Sequence, residues 1–340
     1  MRVPEEMRKS IAFLGVREGK AFRPRATGFF VSYLQFQHRF IGLVTAEHVV
    51  SGLLTQNQPI YARVNLANGD VGETPISPEK WRFYPDNAIE ATDVAICPMA
   101  DYATAEDGTR VALDIHTIAL NGPNALVALP EVMTEKGIER GIGVGDDVFI
   151  IGLFRSHYGK ERNFPVVRVG NLAAMREEPI KTKYAGYIDA YLIEARSIGG
   201  LSGSPAFAAI PFVRIREGVD RQSVGVVAVF LGLVHGHFDI EDLNSDVVLD
   251  AEQASTAGIH TGMAVVIPVE KIIATMEHPD FVEERRRHAM EQLKDGATPD
   301  LAASSKAAPE AKPEPNPQHR EDFNRLVSTA SKPKPKGGRT

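Results

Sequence analysis

Between residues 11 and 100 the apolar positions fall in short runs, at 11–16, 28–36, 39–45, 61–66, 81–84 and 93–96, rich in β-branched and aromatic side chains. Runs of this length and composition predict strands. Asn68-Gly69 marks a hairpin turn between two of them. A second series begins at Gly145-Asp146-Asp147-Val148-Phe149-Ile150-Ile151-Gly152 and continues at 166–172, 187–195, 224–234 and 263–268. Many short strands separated by turn signals, with few long helical patterns, predict an all-β chain rather than alternating β and α units. The two series predict two antiparallel β-barrels, the first ending near residue 130.

From 269 to 293 the period changes to that of a helix, with Ile272, Ile273, Met276, Phe281, Met290 and Leu293 as its apolar positions and Pro279 interrupting it. Beyond 295 the composition shifts again. Residues 296–340 hold seven of the 22 prolines together with alanine, lysine and serine, and such a segment cannot bury enough apolar surface to offset its ordering entropy. The predicted organisation is a first barrel at 1–135, a second at 136–275, a C-terminal helix at 276–295 and a disordered tail at 296–340. Within the tail, Phe323-Asn324-Arg325-Leu326-Val327 is an apolar island to which an unidentified protein partner could dock. The connections at 205–224 and 239–260 read as surface loops.

A chain of 340 residues with 43% hydrophobic positions is long enough for such a two-barrel body of roughly 200 to 250 residues. A formal net charge of −6 provides no overall basic field, which argues against nucleic acid as a partner. Cys97 is the only cysteine, so no intramolecular disulfide can form, and its place at the end of an apolar run marks it as core packing. The apolar stretch at 11–16 is too short for a signal-peptide core, and no run of about eighteen apolar residues is present to span a membrane. A soluble, cytoplasmic protein with no membrane partner is the expectation.

Three segments carry candidate chemistry: Thr45-Ala46-Glu47-His48, Ala91-Thr92-Asp93-Val94-Ala95-Ile96 and Gly199-Gly200-Leu201-Ser202-Gly203-Ser204-Pro205. A serine hydroxyl needs a base to take its proton and a third group to orient that base. Ser202 as nucleophile, His48 as base and Asp93 as orienting carboxylate fill these roles. The order His, Asp, Ser differs from the subtilisin and α/β-hydrolase orders, and a hydrolase elbow would need glycine where Ser204 stands. At these residues the chain resembles the chymotrypsin-like (trypsin-like) serine peptidases, nearest to their bacterial, disulfide-free members. The 145–152 segment, Ala26-Thr27-Gly28-Phe29-Phe30-Val31 and Gly262-Met263-Ala264-Val265-Val266-Ile267-Pro268 look like further segments of that family, and the resemblance covers roughly residues 11–275.

The resemblance implies a chymotrypsin-like fold closed by a C-terminal helix, with His48 and Asp93 on the first barrel, Ser202 on the second and the site in the cleft between them. It implies an oxyanion hole from the backbone N–H groups of Gly200 and Ser202. The position before the serine, often Asp or Asn in the family, is Leu201, so activation by pairing with a newly made amino terminus is unavailable. Arg196, six residues before Ser202, stands where relatives line the pocket base, and there it would pair with acidic substrate side chains; a different loop geometry would instead turn it to solvent. The substrate-facing strand is read at Gly232-Leu233-Val234-His235-Gly236-His237, with Leu201, His235 and His237 as further substrate-binding candidates. His235 and His237 alternate along this strand near Asp239, which raises a metal site, but with no cysteine pair and no His-Glu-x-x-His helix a pocket-wall or hydrogen-bonding role is the better assignment. No metal and no cofactor are expected. The function these readings imply is a serine endopeptidase acting on polypeptides. Its alternatives are a catalytically silent barrel that binds a peptide or partner, and an esterase-like acyl hydrolase.

Overall fold

The computed structural model describes residues 2–55, 59–85, 92–104, 108–127, 132–133, 139–182, 186–195, 200–211, 214, 225–239 and 260–294. Met1–Ala297 form one compact unit, and the predicted tail at 296–340 lies outside the described residues. Among these residues the chain is all-β apart from short helices and a helical C-terminal segment.

The first half is an eight-stranded sheet. Its strands are β1 (Ile11–Glu18), β2 (Ala21–Gln35), β3 (His38–Thr45), β4 (Ile60–Asn65), β5 (Val71–Ile76), β6 (Arg82–Phe83) and β7 (Ala95–Met99), hydrogen-bonded in the order β5-β4-β1-β2-β3-β7-β6. The eighth, Ile118–Ala119, adds to β2 in parallel at Val31 and Ser32. The second half is a closed barrel of six strands in the order Asp147–Gly152, Val166–Ala174, Tyr191–Glu194, His260–Pro268, Val226–Asp239 and Pro205–Pro211. Its pairs are antiparallel all the way round.

Side chains alternate across a strand, so a strand buried on both faces reads as an unbroken apolar run. Asp147–Gly152 is such a strand: Val148 and Ile150 point into the barrel, whereas Phe149 and Ile151 join the core shared with the first half. Val226–Asp239 splits in the same way, with Val229, Leu231 and Val234 inside and Phe230 and Leu233 outside. A bulge opposite Ala206/Phe207 shifts its register midway. The outward rings make an aromatic chain between the halves. Phe149 stacks on Phe207 at 5.1 Å, Phe207 meets Phe230 at 5.5 Å, and Phe230 meets Phe29 edge-on at 5.6 Å.

The helical pattern at the C-terminus resolves into two helices, Val269–Met276 and Pro279–Lys294. Pro279 ends one and opens the other, because its missing N–H costs nothing in a first helical turn. Ile272, Met276 and Phe281 bury in the core that includes the first sheet. Tyr33 donates to Glu277 and Arg285 to Gln35, which anchors the segment to β2. No helix among the described residues is long and apolar enough to cross a membrane.

Candidate active site

Strand β3 ends at Thr45, and the chain turns at Ala46 into the helix Glu47–Leu54, so His48 lies in its first turn. The first N–H groups of a helix have no partner within it, and Ala46 brings no side-chain acceptor. Asp93 brings one. β3 and β7 pair antiparallel with Thr45 opposite Ala95, and the same register carried two residues further sets Asp93 against the start of the helix. Its Oδ1 accepts from the His48 backbone N–H at 2.8 Å, and its Oδ2 from His48 Nδ1 at 2.7 Å. One carboxylate thus grips one histidine twice, with its charge at the positive end of the helix dipole.

A second imidazole shares that carboxylate. His235 Nδ1 also donates to Asp93 Oδ2. The His235 and His48 rings meet edge to face at 5.2 Å between centroids. Asp93 is only 3% exposed. Burial alone would raise its pKa, but the N–H donors of His235 and His48 outweigh it and hold the carboxyl well below the usual range. An ionised carboxylate only accepts, so both Nδ1 atoms carry their protons and face Asp93, which turns His48 Nε2 away from the carboxylate.

His48, Asp93 and His235 place ligand atoms within 4.8 Å of one another, a donor set that a zinc ion would accept. Two ligands about 2.0–2.1 Å from a tetrahedral ion are themselves about 3.3 Å apart. His48 Nδ1 is 2.7 Å from Oδ2, and His235 Nδ1 is closer still. In this arrangement Oδ2 is joined to both Nδ1 atoms by hydrogen bonds, at separations shorter than two ligands of one ion would take.

Ser202, half-buried, lies between the barrel strands Tyr191–Glu194 and Pro205–Pro211. Its loop is fixed from two sides. Thr27 of β2 donates through Oγ1 to the Gly200 carbonyl at 2.7 Å and through its backbone N–H to the Ser202 carbonyl at 3.1 Å. Gly203 N–H donates to the Val234 carbonyl at 2.9 Å, and Val234 N–H to Ser204 at 2.8 Å. The serine loop therefore sits on the residue next to His235. Gly200 and Gly203 take left-handed φ values of 106° and 83°. At 203 a Cβ would also lie 2.1 Å from the Thr27 carbonyl and 2.3 Å from Thr45 Oγ1, so only glycine fits where the loop meets the segment leading to His48. Gly152 is constrained in the same way, since a Cβ there would meet Ser204 Oγ at 2.0 Å and Leu201 at 2.8 Å.

Leu201 is fully buried and belongs to the core inside the barrel, so its side chain anchors the serine loop from below. His235, expected on a substrate-facing rim, is 5% exposed and held by Asp93. Arg196 and Gly199 lie outside the described residues, as does the His237 side chain; the His237 backbone pairs with Ala264. Cys97 is fully buried, and burial pushes its thiol up to about 12, which makes it inert at neutral pH.

The sequence reading missed the part Thr27 plays. Its Oγ1 donates to Gly200 and accepts from the Leu153 N–H at 2.9 Å, while its carbonyl accepts from Thr45 Oγ1 at 2.8 Å. One buried threonine joins β2, β3, the serine loop and the end of a barrel strand. Its only signal in the sequence is a hydroxyl within the otherwise apolar run 26–31.

No family model and no curated protein matches the chain. Among solved structures it is similar to Deg5, at 12% identity over 79% of this chain and 88% of that one, with a TM-score of 0.42. It is similar to the Rv3671c protease in an inactive form, at 16% identity over 80% and 89% of the two chains, with a TM-score of 0.36. It is also similar to the HtrA-type protease AlgW with a decapeptide, at 15% identity over 81% of this chain and 66% of that one, with a TM-score of 0.40.

Proposed function

We propose that the chain is a serine endopeptidase that cleaves polypeptides through an acyl-enzyme formed on Ser202. The observation that carries this reading is the double hold of Asp93 on His48. That hold orients the imidazole so that Nε2 would serve as the acceptor a hydroxyl nucleophile needs, with a buried carboxylate behind it to stabilise the imidazolium that forms. The hydrogen bonds that tie the serine loop to Thr27 and Val234 support a fixed position for the nucleophile.

In this mechanism His48 takes the Ser202 proton as Oγ attacks the scissile carbonyl, and the N–H groups of Gly200 and Ser202 receive the developing oxyanion. His48 then returns the proton to the leaving amine, and water repeats the sequence to release the acyl group. Arg196 would favour substrates with acidic side chains if it lines the pocket.

The test is labelling with a fluorophosphonate, followed by assays on an unstructured polypeptide and on a small ester. Wild-type protein should be labelled and should cleave both, and Ser202→Ala should lose all three while keeping its fold. Labelling with ester but not polypeptide hydrolysis would make it an acyl hydrolase of another kind. A wild-type protein that takes no label would leave a barrel that binds without catalysing.

A further inference from the structure

We propose that His235 is a positioning residue for the reaction: it shares the Asp93 Oδ2 oxygen with His48 and thereby sets both the orientation and the basicity of the catalytic imidazole. This rests on the reading of His48, Asp93 and Ser202 as the reacting unit. Two imidazole N–H groups and one backbone N–H converge on a single carboxylate that is almost wholly buried. Asp93 and His48 are ionisable groups in contact with His235.

The consequences follow from the acceptor. An oxygen that takes two N–H donors gives less of its charge to each than it would give to one alone. His235 therefore tempers the pull of Asp93 on His48, so that the base releases its proton more readily than it would with Asp93 to itself. His235 also restricts carboxylate rotation, because a turn that carried Oδ2 away from His48 would break the His235 bond to the same oxygen as well. Its own backbone is placed with respect to the nucleophile, since the preceding residue, Val234, exchanges two hydrogen bonds with the serine loop. A shift of the serine loop would move His235, and with it Asp93. A residue of this kind acts on kcat and on the pH profile, and leaves substrate binding largely alone.

The experiment compares wild type with His235→Ala and His235→Asn. Asparagine places a neutral N–H donor where the Nδ1 of histidine stands, but does not titrate. His235→Ala should lower kcat about ten- to a hundred-fold, the loss expected for a hydrogen bond to a charged group. KM should change little. The acid limb of kcat/KM should move to higher pH, as Asp93 pulls harder on His48 alone. His235→Asn should recover most of kcat and return the limb towards its wild-type position.

Proton NMR gives a readout independent of turnover. Wild type should show two strongly downfield imidazole N–H signals, His235→Asn one, and His48→Ala one. A His235→Ala protein with raised KM and unchanged kcat would make His235 a substrate contact and overturn the proposal. So would a loss of kcat with no shift of the acid limb and no rescue by asparagine, or a single downfield signal in wild type. If Ser202 takes no fluorophosphonate label, the underlying reading fails instead; the two-signal NMR result then still stands or falls by itself.

Discussion

Asp93 keeps its charge at 3% exposure because three N–H groups surround it, and one of them is an otherwise unsatisfied donor in the first turn of a helix. The same carboxylate therefore completes a fold element and orients the His48 imidazole. Asparagine there offers one acceptor oxygen and turns an N–H group towards a donor, so Asp93→Asn should cost about 2 kcal/mol of stability at neutral pH. In the proposed mechanism it should also lower turnover by about four orders of magnitude through the wrong imidazole tautomer. The sign of the pH dependence is set by the depressed carboxyl. Its folded pKa lies below the unfolded value of about 3.9, so its stabilisation is present above that pH and is lost as pH falls towards the folded value. Urea unfolding should then show a clear gap between wild type and Asp93→Asn at about pH 7 that narrows at about pH 3. A gap of equal size at both would assign the stabilisation to something other than the charge.

The C-terminal helices follow the last barrel strand but deliver Met276 and Phe281 to the core of the first sheet. Phe281 is 3% exposed, and the Arg82 and Arg285 guanidinium groups lie over its ring. This segment acts as a strap across the first half, and that ring adds to the hold of the Tyr33–Glu277 and Arg285–Gln35 hydrogen bonds. Phe281→Ala should cost about 3 kcal/mol or more, the usual loss for truncating a buried aromatic side chain. Ending the chain after Ala297 should leave the thermal transition and ester hydrolysis unchanged, because the segment beyond it lacks the composition to build a core. A lower melting temperature in the shortened chain would mean that the tail packs on the barrels.

The aromatic chain Phe149, Phe207, Phe230 and Phe29 fastens the half that bears His48 and Asp93 to the half that bears Ser202 and His235. Phe230 is the ring that joins the two halves, 1% exposed and in contact with Phe207 and Phe29. Phe230→Ala should destabilise the protein by about 3–5 kcal/mol. It should also lower activity well within the folded range, because the candidate site draws its residues from both halves and a slip of about 1 Å between them is enough to misplace a reacting group. Fluorophosphonate labelling at urea concentrations below the unfolding transition would check this. Labelling as fast as wild type there would show that the halves stay aligned without the ring.

The strands were legible in the sequence because burial leaves a local mark: β-branched and aromatic runs, cut by turn residues, recur wherever a strand meets a core. The three candidate motifs were legible for a similar reason, since the glycines around Ser202 and the apolar residues after Asp93 are demands made by their immediate neighbours. The two-face burial of Asp147–Gly152 was not legible, because an unbroken apolar run does not say which side chain meets which core. The second sheet closes into the barrel its strand series predicted, but the order of strands in either sheet was not legible, since that depends on which edges find each other. The bond from His235 to Asp93 joins residues 142 apart on different halves, and Thr27 reaches Gly200 across 173. Local pattern is silent about such pairs, because strand register and the docking of one half on the other bring them within hydrogen-bonding distance.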